Sequence, residues 1–456
     1  MGGAARTIAE FASKLTFSDL PGPVAEQAAL GILDAVGVAF AATTYPDIML
    51  IIRGIDALGD AGTYPAIGTG RRLTQRDSVL VNGTLIHGLD FDDTLVPSLV
   101  HGAASMLPVA MAVGSEWDIS GQHLIASYVA GMEVAARLGS VTTPHLHNAG
   151  FHPTGVVGAF GAVITAGVAG TLDLDALVHA QGIVGSAASG LLAFLDDGSW
   201  TKRLHPGSAG AAAVTAAVLA RVGWTGPEAV YEGRNGLFAT HLPGRDIDVG
   251  AALTTLGSEW WFRSDGLKPY PTCLFTHPYI EAAIALAAEL GHGDTIESVR
   301  CLMHPDMTEV VGEPAATKRH PRGDYEAKFS LYFTVAASLL RARFTLRELE
   351  AAALSDPALG ALADKVSIEP DPESEFPDRI GGSVEVRTTN GRVLSRRVDA
   401  ALGSAERPLG QAEVVAKFRN CMELADRLDL AEQIIDTTLG LVGAGATVRS
   451  FTDVLA

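Results

Sequence analysis

Apolar residues recur at three- and four-residue spacing along most of residues 1 to 265, and strand patterns there are scarce; near Gly266 this character changes. That change constrains the fold more than any other feature. Ala25 to Ala42 keeps helical spacing behind Pro21 and Pro23, which suit a helix entry. Thr74-Gln75-Arg76-Asp77 has the form of a capping box. Further runs predict helices at 120–138, 155–171, 174–194 and 206–222. Beyond Gly266, Ser298 to Met303 and Lys365 to Ile368 read as strands. Ser383 to Val398 reads as a hairpin, with Asn390-Gly391 at its turn. Helical runs at 278–290, 327–342 and 346–363 lie among these strands, and the pattern turns helical again at 411–424 and 430–441. The expected fold is mainly α. Both chain ends, residues 1–265 and 403–456, form a large all-helical domain, and 266–402 form a smaller α+β domain.

Composition agrees with two folded domains. The chain has 456 residues, too many for one ordinary core, and 48% are hydrophobic against 19% charged. A net charge of −19 disfavours nucleic acid and anionic membrane as partners. It leaves room for an anionic small molecule if cations gather locally. Cys273, Cys301 and Cys421 are widely spaced and make neither a disulfide framework nor a zinc site, which suits a cytoplasmic location. The N-terminus lacks a basic region followed by an apolar core, and Arg6 stands where a myristoylation signal beginning Met1-Gly2 wants Ser or Thr. The uncharged, glycine-rich run from Gly155 to Thr171 reads as a buried, tightly packed helix and not a membrane span.

The chemistry concentrates first at His87-Gly88-Leu89-Asp90-Phe91-Asp92-Asp93-Thr94, with His101 just beyond. An apolar run, Val79 to Ile86, leads directly into these polar groups, and desolvated charges are costly unless something compensates them. Asp90, Asp92 and Asp93 lack the glycine and the twelfth-position acid of a calcium loop, and His87 and His101 lack helical zinc spacing. No metal is expected. Four basic islands follow, around His152, Lys202-Arg203 with His205, Lys268 with His277, and Lys328. Each lies near an expected helix start or a glycine- or proline-rich turn. Helix N-termini carry free N–H groups and partial positive charge, so together the islands suggest a site for an anionic ligand. The histidines at 123, 145, 147, 179, 241, 292 and 304 have no comparable context and read as surface or structural residues.

The segment Asn82-Gly83-Thr84-Leu85-Ile86-His87-Gly88-Leu89-Asp90-Phe91-Asp92-Asp93-Thr94 resembles the signature of the MmgE/PrpD family. The stretches 131–138, 151–155, 202–207, 224–227, 268–271 with Thr276-His277, and 327–330 resemble that family's other motifs, in its order. The resemblance covers nearly the whole chain. It implies a homodimer without metal or organic cofactor, its active site in the cleft between a helical domain and an α+β lid. It places catalytic roles on Asp90, His101, His152 and His277, and substrate contacts on Thr94, Lys202 and Lys268. One departure is Gly102, where members often have proline after the histidine; proline fixes φ and glycine frees it.

The family's reactions move a proton on carbon next to a carboxylate while other carboxylates are held still. The expected activity is therefore that of a cofactor-independent lyase on a small di- or tricarboxylate, 2-methylcitrate dehydratase first. A cis-aconitate decarboxylase, an iminodisuccinate epimerase and a non-catalytic carboxylate-binding protein are the alternatives. Lys202 and Lys268 would neutralise carboxylates; Asp90 or a histidine would move the proton.

Overall fold

A computed structural model describes residues 3–59, 61–291 and 293–456. Met1, Gly2 and His292, which entered the sequence reading, lie outside the described residues. The chain divides into two compact units, one running to Leu267 and resuming from Gly410 to Ala456, the other Lys268–Leu409.

The first unit is mainly helical. Its long helices are Gly22–Ala42, Gln75–His87, Gly102–Trp117, Gly121–Thr142, Pro153–Ala169 and Thr201–Arg221, with Gln411–Leu424 and Ala431–Leu439 from the chain's end. Local signals set several starts. The side chains of Thr74, Ser120 and Asp173 accept from backbone N–H groups in the first turns of their helices, and Pro153 opens its own. Every residue of Pro153–Ala169 is buried, and the helix packs on Gly121–Thr142, Gly102–Trp117 and Thr201–Arg221. A helix apolar on all sides has to be surrounded in this way. Gly22–Ala42 and Gly121–Thr142 are long and apolar enough to cross a membrane, yet 83% and 89% of their most apolar windows are buried inside the protein.

One helix crossing matters for the site. A Cβ on Gly83 would stand 2.5 Å from Gly207 Cα, and one on Gly207 2.2 Å from the carbonyl oxygen of Leu80. The helices Gln75–His87 and Thr201–Arg221 therefore touch backbone to backbone, an approach only glycine permits. The contact holds the first turns of the latter close against the former.

Several local features of this unit differ from the sequence expectation. Ala61–Ala66 and Arg71–Leu73 pair as a short antiparallel hairpin, hidden because Pro65 interrupts the strand pattern. The helix expected at 206–222 starts at Thr201 and takes in Pro206 near its beginning, where the missing N–H forfeits only the bond to the Lys202 carbonyl. The helix expected at 174–194 ends at Val184, with Gly185 at its cap.

In the second unit a four-stranded sheet has the order Val366–Pro370, Ile296–Met303, Gly382–Thr388, Val393–Val398. The first pair is parallel and the others antiparallel. Gly391, at φ +87°, supplies the expected hairpin turn. Val299, Cys301, Met303, Val384 and Val386 share one core with Tyr279, Leu331 and Val335 from the helices His277–Glu289 and Leu331–Arg341. The run expected as one helix at 346–363 breaks into Leu346–Leu349, Ala351–Leu354 and Pro357–Ala363, the last opened by its proline.

Candidate functional site

The site begins where Gln75–His87 ends. His87 is the last helical residue, and the chain then turns through Asp90, which sits in the left-handed region at φ +53°. Strain of that kind persists only where surrounding contacts fix it. Here Lys202 Nζ donates to Asp90 Oδ1 at 2.8 Å, with both side chains buried. The Gly83–Gly207 crossing sets up this meeting, since Lys202 stands in the first turn of its helix.

Two residues on, the three carboxylates part company. Asp92 Oδ2 accepts from His87 Nδ1 at 2.7 Å, in a fully buried pair. Asp93 instead caps the helix Gly102–Trp117, accepting from Gly102 N at 2.9 Å and from Ala103 N at 3.1 Å. Its backbone carbonyl accepts from His101 Nδ1 at 2.7 Å, and Thr94 Oγ1 lies 3.4 Å from the same nitrogen. Asp93 thus fixes both the helix start and the imidazole just before it.

These contacts explain the glycine at position 102. Its N–H is one of Asp93's donors, and proline would supply none. Its missing side chain also makes room, since a Cβ there would lie 2.3 Å from Met132 Sδ.

His152 precedes the Pro153–Ala169 helix and is buried, its Nδ1 3.0 Å from Nδ1 of His205. Three imidazoles gather around it. Ring centres are 4.5 Å apart for His87 and His101, 5.9 Å for His87 and His152, and 6.2 Å for His101 and His152. Burial, then the Lys202 ammonium, then the neighbouring imidazoles hold the His152 ring well below the usual histidine range. Burial, then His87 and Lys202, likewise lowers His205 to about 4. Both rings are neutral at pH 7.

Beneath the turn lies a second acidic group. Asp265 hydrogen-bonds Asp93, and Thr94–Leu95 pairs antiparallel with Asp265–Gly266. Burial, then the charge of Asp93, raises Asp265 well above the carboxylate range; burial, then Asp92, pushes Asp93 up to about 7. Like charges cannot both persist at such a distance in the interior, so the pair retains a proton.

Five of the seven residues singled out in the sequence therefore belong to the first unit: Asp90, Thr94, His101, His152 and Lys202 are all buried around this one turn. Lys268 and His277 belong to the second unit, where both are buried and His277 Nε2 lies 3.2 Å from the Thr272 carbonyl oxygen. The polar groups around this turn that sequence reasoning did not assign are His87, Asp92, Asp93 and His205, all inside quoted segments, and Asp265, which carried no signal.

Comparison with known proteins covers almost the whole chain. Residues 6–250 match the MmgE/PrpD N-terminal domain, and residues 270–441 match the MmgE/PrpD C-terminal domain. The cis-aconitate decarboxylase of Mus musculus is 28% identical over 430 residues, covering 89% of this chain and 83% of that relative. That of Homo sapiens is 27% identical over 418 residues, covering 85% and 81%. That of Aspergillus terreus is 24% identical over 465 residues, covering 96% and 93%.

Proposed function

The chain belongs to the MmgE/PrpD family, and on that premise we propose that it is a carboxy-lyase acting on a cis-aconitate-type tricarboxylate. The observation that carries the reading is the burial of the Lys202–Asp90 pair beside the imidazoles of His101 and His152. Such a decarboxylation breaks one C–C bond and releases CO2. The electron pair moves through the adjacent double bond, and a proton is delivered to carbon next to a second carboxylate. The reaction needs cations for the spectator carboxylates and a positioned acid.

In this reading Lys202 neutralises a substrate carboxylate. His101 or His152 delivers the proton, while Asp90 holds the lysine and Thr94 the His101 ring. Lys268 and His277 keep the substrate-binding and catalytic roles that the family resemblance gives them. The proposal includes a homodimer in the cytoplasm, which sedimentation velocity and cell fractionation would test.

Incubation with cis-aconitate and with 2-methylcitrate in D2O, followed by NMR, tests the reading. Release of CO2 from cis-aconitate with one deuterium in the product is the expected result. Water loss from 2-methylcitrate without turnover of cis-aconitate would replace it with the dehydratase activity that the sequence first suggested.

A further inference from the structure

We propose that His87, His101 and His152 form an inhibitory binding site for a divalent transition metal such as Zn2+. One ligand nitrogen from each of the three rings lies within 4.8 Å of one from each of the others, and all three residues are buried. Imidazoles around one tetrahedral zinc, bonded at about 2.0 Å, place their nitrogens about 3.3 Å and their ring centres about 5 Å apart. The three ring-centre distances here are 4.5, 5.9 and 6.2 Å. Closure onto an ion thus asks for ring movements on the order of 1 Å, which small χ rotations supply.

The surroundings of His87 and His101 are those of ligand imidazoles, whose second nitrogen usually donates to a carboxylate or a backbone carbonyl. His87 Nδ1 faces Asp92 Oδ2 at 2.7 Å, which leaves Nε2 as its basic nitrogen. That Nε2 is fully buried and has no hydrogen-bond partner among the described residues. His101 Nδ1 faces the Asp93 carbonyl at 2.7 Å, so its basic nitrogen is also Nε2. His152 has His205 as its neighbour at Nδ1, 3.0 Å away. Negative charge lies close by in Asp92, which with Asp90 and His101 forms an overlapping group within the same 4.8 Å. Lys202 opposes an added cation, but its ammonium is already matched by Asp90 at 2.8 Å.

Imidazole ligands select zinc, copper or nickel over magnesium and calcium, which prefer oxygen. An ion here would occupy the lone pairs that proton transfer requires. It would therefore inhibit, and chelation would restore activity.

The binding test needs no turnover, so it stands or fails apart from the proposed reaction. The full-length protein is titrated with Zn2+ against a chromophoric chelator, and with Co2+ while its visible spectrum is followed. We expect one tight equivalent per chain, the intense bands of tetrahedral nitrogen coordination, and no competition from Mg2+. His87→Gln should weaken binding at least about 100-fold, and Asp92→Asn by roughly 10- to 100-fold through loss of ring orientation. Anomalous scattering from zinc-soaked crystals of the unaltered protein locates the ion whether or not either variant folds. An ion found away from these three rings, or none bound, would overturn the proposal.

Discussion

Lys417 and Phe91, 326 residues apart, meet twice: Lys417 Nζ donates to the Phe91 carbonyl oxygen at 2.7 Å and sits 3.8 Å from the centre of its ring. The same ammonium pairs with Asp34 Oδ1 at 2.7 Å, inside the helix Gly22–Ala42. A lysine from the chain's end thus ties down the turn that carries Asp90 and Asp92, without belonging to the candidate site.

The first prediction follows from that tether. Lys417→Met should destabilise the fold by about 3–5 kcal/mol, since it deprives the buried Asp34 carboxylate of its lysine. The turn at Phe91 should loosen as well, so kcat should fall in protein that remains folded. Thermal melts and kcat measured at 15 °C check both parts; a destabilised variant with unaltered kcat would show that the tether is only structural.

Gly102 offers a sharper test, because two effects can be separated there. Gly102→Ala crowds Met132 and should cost about 1–3 kcal/mol, a cost that should largely vanish when the substitution is measured against Met132→Ala alone. Gly102→Pro should stay impaired in that background, because the lost N–H donor to Asp93 is not replaced. Equal rescue of both variants would mean that the cap contributes nothing.

Asp93 and Asp265 predict how stability depends on pH. Both folded-state values lie above the ordinary carboxylate range, so the folded protein retains a proton that the unfolded chain has released. The Asp93 contribution is complete below about pH 4 and is lost as pH rises through its folded value of about 7. Asp265→Asn keeps a donor toward Asp93 without the titrating proton. Its melting temperature should fall less between pH 5 and 8 than that of the unaltered protein. Parallel melting curves across this range would remove the shared proton from the account.

Asp90 and Lys202 should separate by kinetics. Asp90→Asn preserves an oxygen acceptor for Lys202 but not its charge, and kcat should drop about 10²-fold because the ammonium is no longer held in place. Lys202→Ala should raise KM by the loss of a charge-assisted contact of roughly 1.5–3 kcal/mol. Because Lys202 also fixes Asp90, kcat should fall in that variant too, and a pure KM effect would contradict the geometry.

These groups were not equally visible in the sequence. Pro153–Ala169 was legible because an uncharged run of that length has to be a buried helix. Asp90, His101, His152 and Lys202 were legible because polar residues stood beside caps, glycines or apolar runs. The tether from Lys417 to Asp34 was not, since the partners are 383 residues apart and neither stands in an unusual local context. Asp265 escaped for another reason. The strand that brings it to Asp93 is two residues long, too short to show a period of two. His205 lay in a quoted segment, but its pairing with His152 depends on the crossing at Gly83 and Gly207, which periodicity does not reveal.

The last prediction concerns protons taken up with the substrate. In the free protein the His152 ring is neutral at pH 7, chiefly through burial and then through the charge of Lys202. A tricarboxylate bound beside it brings negative charge, which favours the imidazolium and raises the ring's pKa. Between the free and bound values, binding must therefore absorb protons. Propane-1,2,3-tricarboxylate serves as a stable probe. Its calorimetric binding enthalpy at pH 7.5 should differ between phosphate and Tris in proportion to their ionisation enthalpies, with the sign of uptake. Affinity should weaken as pH rises from 6.5 to 8.5, and His152→Asn should reduce the buffer dependence. An enthalpy that does not change with buffer would show that the imidazoles stay neutral in the complex, and His152 would then be a hydrogen-bonding residue and not the acid.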